Sequence, residues 1–63
     1  DGQSFYVLLN KARIDAAKRL LDDPNLRISY ISEMVGYTDN GHFSRLFKKM
    51  VGISANDYRN QDK

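Results

Sequence analysis

Apolar residues recur along the first third of the chain with the period of a helix. Phe5, Leu8, Leu9, Ala12, Ala16 and Leu20 fall on one stripe. Val7, Ile14 and Leu21, seven residues apart, form a second stripe roughly opposite. Ser4 is placed to cap this helix and Pro24 prevents its continuation, so the pattern predicts a helix over 4–22. Asp22 and Asp23 fall at its C-terminal end, where the macrodipole disfavours negative charge, and are expected to end the helix and solvate the turn. A surface helix carries one apolar stripe. Two stripes describe a helix held between two bodies, of which one follows in the chain. The longer stripe is expected to pack on that body, leaving the Val7, Ile14 and Leu21 ridge facing away.

Ile28, Ile31 and Val35 mark one face of a short second helix, with the small Ser32 beside Ile31. Gly36 interrupts the pattern where a left-handed turn position is required. Thr38 or Asp39 can cap a third helix, whose inner face is Phe43, Leu46, Phe47 and Met50 at i, i+3, i+4 and i+7. Gly52 ends it. Ser54 and Asp57 have capping-box spacing and open a last short helix over 54–60, which Ile53 and Tyr58 fold onto the core. Strand alternation is absent over any useful length. The expected class is all-α.

The chain has 63 residues, enough for one small core. Domains this short bury only about 60% of their unfolded surface, so stability is expected to be marginal without a partner. Cysteine is absent and His42 is the lone histidine, so no metal-ligand cluster or disulfide is expected. No apolar run has the length of a membrane span and no signal peptide is visible, which points to a cytoplasmic protein. The net charge of +2 is too small to indicate nucleic acid by itself. Its distribution is more informative. No acid occurs between Asp39 and Asp57, and Arg45, Lys48 and Lys49 all fall in that gap. A local cluster of cations is what phosphate binding requires.

A helix, a glycine turn, and a second helix with an apolar inner face and a basic outer face make the pattern of a helix-turn-helix over 28–51. Each residue alone has a plainer reading. Phe43, Phe47 and Met50 are core; Lys48 and Lys49 are a solvated face; His42 is a surface histidine; Gly36 is a helix stop. Their mutually compatible spacing favours the joint reading. The outward face of the third helix, about 39–51, must offer donors to base edges and cations to phosphates. Arg45 suits guanine because its fork matches O6 and N7, and Asn40 can do the same for adenine.

The run Ile31-Ser32-Glu33-Met34-Val35-Gly36-Tyr37, then His42-Phe43-Ser44-Arg45-Leu46-Phe47-Lys48-Lys49, then Gly52-Ile53-Ser54 and Tyr58-Arg59 closely resembles the signature of the AraC/XylS family of bacterial transcription regulators. Phe5 through Ile14, with Ala17, Leu20 and Leu21, is similar to that family's connecting helix. The resemblance implies a homeodomain-like three-helix unit preceded by a long connecting helix, with residues 1–63 as part of a DNA-binding domain of two helix-turn-helix units. This chain would hold the connecting helix and the second unit and lack the first, which accounts for the second stripe. It also implies that Asn40, Gly41, His42, Ser44 and Arg45 approach bases or backbone in the major groove of double-stranded DNA. Gly41 can contribute only backbone. Lys48 and Lys49 would serve phosphates or the helix end. Three positions depart from the family pattern: Ser32 replaces the usual alanine, Ala55 the usual proline, and Arg27 a capping Ser or Thr. None lies on the expected DNA face.

An enzyme is not expected, because the chain offers no nucleophile–base pair, glycine-rich phosphate loop or ligand cluster, and no cofactor is called for. A homeodomain proper would carry a Trp-Phe core motif in its third helix, and tryptophan is absent. The competing class is a helical protein–protein interaction module using the Val7, Ile14 and Leu21 face. An isolated chain of this kind is expected to self-associate through that ridge or to remain weakly stable.

Overall fold

The computed structural model describes residues 2–61, and the side chains of 4–61. Four helices follow in order: α1 (Gly2–Leu20), α2 (Ile28–Met34), α3 (Asn40–Val51) and α4 (Ala55–Asn60). α2 packs on α3, both pack on α1, and α4 closes against α3. At 19 residues, α1 is about 28 Å long, longer than the three short helices can cover. The particle measures 40 × 21 × 18 Å as a result.

α1 begins ahead of Ser4, which lies in its first turn instead of capping it. At the other end, Asp22 and Asp23 donate their amides to Arg19 and Leu20 at 3.2 and 3.1 Å, tightening the last turn. Asp23 Oδ1 then accepts from Asn25 N–H at 2.9 Å, shaping the turn after Pro24.

The inner face of α1 is the reverse of the expected one. Ile14, Ala17 and Leu21 are 2%, 0% and 1% exposed and sit at the centre of the core. Phe5, Leu8 and Ala12 are exposed, and Leu9, Ala16 and Leu20 only partly covered. Two of the three residues of the supposed free ridge are therefore buried, and the Val7, Ile14 and Leu21 face is not an interaction surface. The buried stripe continues through Asn10, also buried. A polar residue and an alanine interrupt its apolar appearance, so counting large hydrophobics selects the wrong side. Ala17 is inside because its small side chain lets α1 approach the other helices closely.

The remaining core is Ile31, Tyr37, Phe43, Phe47 and Ala55. Rings run through it in contact: Tyr37 to Phe43 at 5.7 Å, Phe43 to Phe47 at 5.8 Å, and Phe47 edge-on to Tyr58 at 5.8 Å. Such tilted and edge-to-face pairs add about 0.5–1.5 kcal/mol each beyond the area they bury. Leu46 is half-buried, whereas Met50, expected inside, is still 39% exposed one turn beyond Phe47. α4 is too short to extend over it.

The turn between α2 and α3 is built as the residue types demand. Gly36 N–H donates to Glu33 O at 3.1 Å and Tyr37 N–H to Ser32 O at 2.9 Å. This is a Schellman closure of α2, with Gly36 at a φ of 106°. A side chain there would be strained by backbone alone. It would also meet the Arg13 guanidinium, whose Nε lies 3.2 Å from the position of a Cβ. Gly52 closes α3 at a φ of 101°, donating to Lys48 O at 2.8 Å. The buried Ser32 hydroxyl donates to Ser29 O at 2.7 Å, which satisfies it inside the core. Arg27 provides no side-chain cap to α2, whose first turn is the less supported for it.

Candidate nucleic-acid interface

Asp39 is the N-cap of α3. Its Oδ1 accepts from Gly41 N–H at 2.8 Å and from His42 N–H at 3.4 Å, which aims the carboxylate along the helix end. From that fixed start the helical register determines which residues point away from Phe43 and Phe47. Asn40, Gly41, His42, Ser44, Arg45, Lys48 and Lys49 are all exposed. They form one continuous polar and basic surface with no carboxylate among them.

Two details of this surface come from packing. The first is that Arg45 reaches back toward the N-terminal turn. A Cβ on Gly41 would lie 3.2 Å from Asp39 Oδ1 and 3.4 Å from Arg45 Nη1, so the guanidinium lies against the Gly41 position at about van der Waals contact. The second is that His42, though exposed, meets the Tyr37 ring edge-on at 5.6 Å. Lys48 and Lys49 occupy the last turn, where cations favour the helix dipole as well as any phosphate nearby.

The pattern of helices, caps and turn glycine matches a known family. The family model described as a helix-turn-helix domain matches residues 1–61. The chain belongs to the AraC-type helix-turn-helix family. It is similar to the HTH-type transcriptional regulator YisR of Bacillus subtilis, 46% identical over 50 residues that cover 79% of this chain and 17% of that protein. It is 38% identical over 61 residues to the transcriptional activator NphR of Rhodococcus, covering 97% of this chain and 18% of the relative. The raffinose operon transcriptional regulatory protein RafR of Pediococcus pentosaceus is 42% identical over 52 residues, or 82% of this chain and 19% of its own length. The chain thus spans less than a fifth of the length of these relatives. No solved structure matches it. AraC-type domains act in sequence-specific DNA binding for transcription regulation, and these relatives are transcriptional regulators.

The AraC-type domain also depends on residues that periodicity does not single out. Tyr37 is 5% exposed, and its Oη donates to Asn10 Oδ1 at 2.9 Å across 27 residues of sequence. The Arg13 guanidinium lies over the same ring, 5.3 Å from its centroid. Burial pushes the Tyr37 hydroxyl's pKa up, with the Arg13 charge acting in the opposite direction. Arg59 of α4 donates Nε to Leu21 O at 3.2 Å and Nη2 to Asp23 O at 3.0 Å and to Leu26 O. These carbonyls lie at the end of α1 and in the turn to α2, where Asp23 O also accepts from Leu26 N–H at 3.1 Å, so Arg59 ties the last helix to that turn. A polar residue on the inward side of α1 was the available signal for Asn10, but its partner is not a sequence neighbour. Among the described residues there is no group of acids and histidines able to hold a metal, and no helix long and apolar enough to cross a membrane.

Proposed function

We propose that this domain is the connecting helix and second helix-turn-helix unit of a bacterial transcription regulator, and that α3 lies in the major groove of double-stranded DNA. In this reading Arg45 takes guanine O6 and N7. Asn40, His42 and Ser44 approach neighbouring base edges or backbone, and Gly41 admits the DNA closely. Lys48 and Lys49 contact phosphates. The observation that carries the reading is the outer surface of α3, where seven exposed residues include the three cations of that helix and no acid.

The exposed part of α1 supports the rest. Phe5, Tyr6, Val7 and Leu8 are 69%, 55%, 54% and 65% exposed. Four consecutive helical residues point in all directions, so only a body that surrounds the helix end can cover them. Their stripe runs on through Ala12 and Ala16 into a groove of about 500 Å³ against Leu20, Met34 and Val35. A preceding helix-turn-helix unit is the proposed cover, and without it the chain self-associates through this surface. Such a regulator acts in the cytoplasm, on the bacterial chromosome.

Titrating a fluorescent duplex at several salt concentrations tests the central claim. Three cations on the face give a log–log salt slope of no more than about −3. Association that does not weaken with salt would overturn the DNA reading.

A further inference from the structure

Tyr37 is the point where α1 meets the start of α3. On one side its hydroxyl is held by Asn10 at 2.9 Å and its face by Arg13 at 5.3 Å. On the other its ring touches His42 edge-on at 5.6 Å and Phe43 at 5.7 Å. Phe43 is fully buried and cannot turn, whereas His42 is exposed and has Tyr37 as its aromatic wall. Gly36 immediately before Tyr37 leaves the room that the Arg13 guanidinium fills, so ring and cation occupy one fitted site.

We propose that Tyr37 is a positioning residue, held by Asn10 and Arg13 of α1, that sets the orientation of His42 and thereby the base discrimination made at the first turn of α3. The physical basis is the cost of any alternative. Asn10 is 5% exposed, so breaking its bond to Tyr37 leaves a buried amide without that partner. The ring is consequently fixed by two side chains of α1, and the imidazole that rests on it takes its direction from α1.

The effect on discrimination rests on the DNA reading proposed above; the effect on His42 does not. Tyr37→Phe keeps the ring and deletes the hydroxyl, and Asn10→Ala deletes the acceptor. Both are compared with the unmodified chain at matched circular dichroism. In two-dimensional NMR without DNA, both variants should weaken the cross-peaks between the residue 37 and His42 rings while leaving those between Phe43 and Phe47 unchanged. On duplexes substituted one base pair at a time, Asn10→Ala should reduce discrimination about fivefold at one position, the lower end of what a base contact contributes. The salt slope should not change. That loss should vanish in a His42→Ala background, since two residues acting through one contact are not additive. Unchanged His42 cross-peaks in both variants, or a uniform fall in affinity that adds to the His42→Ala effect, would overturn the proposal. If no duplex is bound selectively, the DNA reading fails, and the NMR comparison still decides the positioning role.

Discussion

α1 and α3 each place one face in the same core, and they differ in what they show to the outside. α3 buries Phe43 and Phe47 and presents Arg45, Lys48 and Lys49. α1 buries Ile14, Ala17 and Leu21 and presents Phe5 and Leu8. An exposed cationic face is stable in water and gains from a polyanion, whose counterions it releases. An exposed apolar face is poorly placed in water and gains from a dry, shape-matched surface. In the proposed reading the two outer faces take different occupants: nucleic acid for α3, and a folded protein unit for α1.

The largest expected effect contrasts the inner and outer faces directly. Phe47→Ala should destabilise the domain by about 3–5 kcal/mol, a large part of the roughly 5–15 kcal/mol that holds a small domain together. The double change Phe5→Gln and Leu8→Gln should alter monomer stability by less than about 0.5 kcal/mol, because those side chains touch little. It should also abolish concentration-dependent association in sedimentation. Urea unfolding that ranks the two variants the other way would break the comparison.

At Gly36 a β-branched residue would meet both a positive φ and the Arg13 guanidinium. Gly36→Val is expected to cost about 1–3 kcal/mol from backbone strain alone, read as a lowered urea midpoint. On the outer face of α3, Arg45→Ala should lose about 1–3 kcal/mol of discrimination at one base pair. Lys48→Ala should instead weaken all sequences alike and reduce the salt slope by about 1. A base-substitution series that shows Arg45→Ala affecting every duplex equally would reassign that residue to phosphate.

The smallest effect concerns the junction of the two helices. The Tyr37 hydroxyl has its pKa raised above the ordinary 10.0 by burial. The folded state therefore keeps this proton longer than the unfolded state does. Its contribution is complete below about pH 10 and is lost as pH rises through the folded value. Unfolding measured from pH 9 upward should show this fall in the unmodified chain, and Tyr37→Phe should flatten it. Identical profiles in the two proteins would remove Tyr37 from the account of alkaline stability.

Much of the architecture is written locally. Asp39 and Ser54 cap α3 and α4 because a side-chain oxygen needs only an amide two or three residues away. Gly36 and Gly52 end their helices because the left-handed conformation is a property of one residue. The outer face of α3 follows from its cap and its period, which is why the candidate DNA-contacting residues were all found on one exposed surface. The sequence by itself determined these features, since each depends on neighbours within about one helical turn. Only the tertiary structure decided which side of α1 faces inward, that Asn10 holds Tyr37, and that Arg59 donates to the carbonyls of Leu21, Asp23 and Leu26. Those contacts join residues 27 to 38 apart. A buried Asn or a small Ala looks unfavourable until the distant hydroxyl or helix that matches it is in place, so no local count of hydrophobicity selects it.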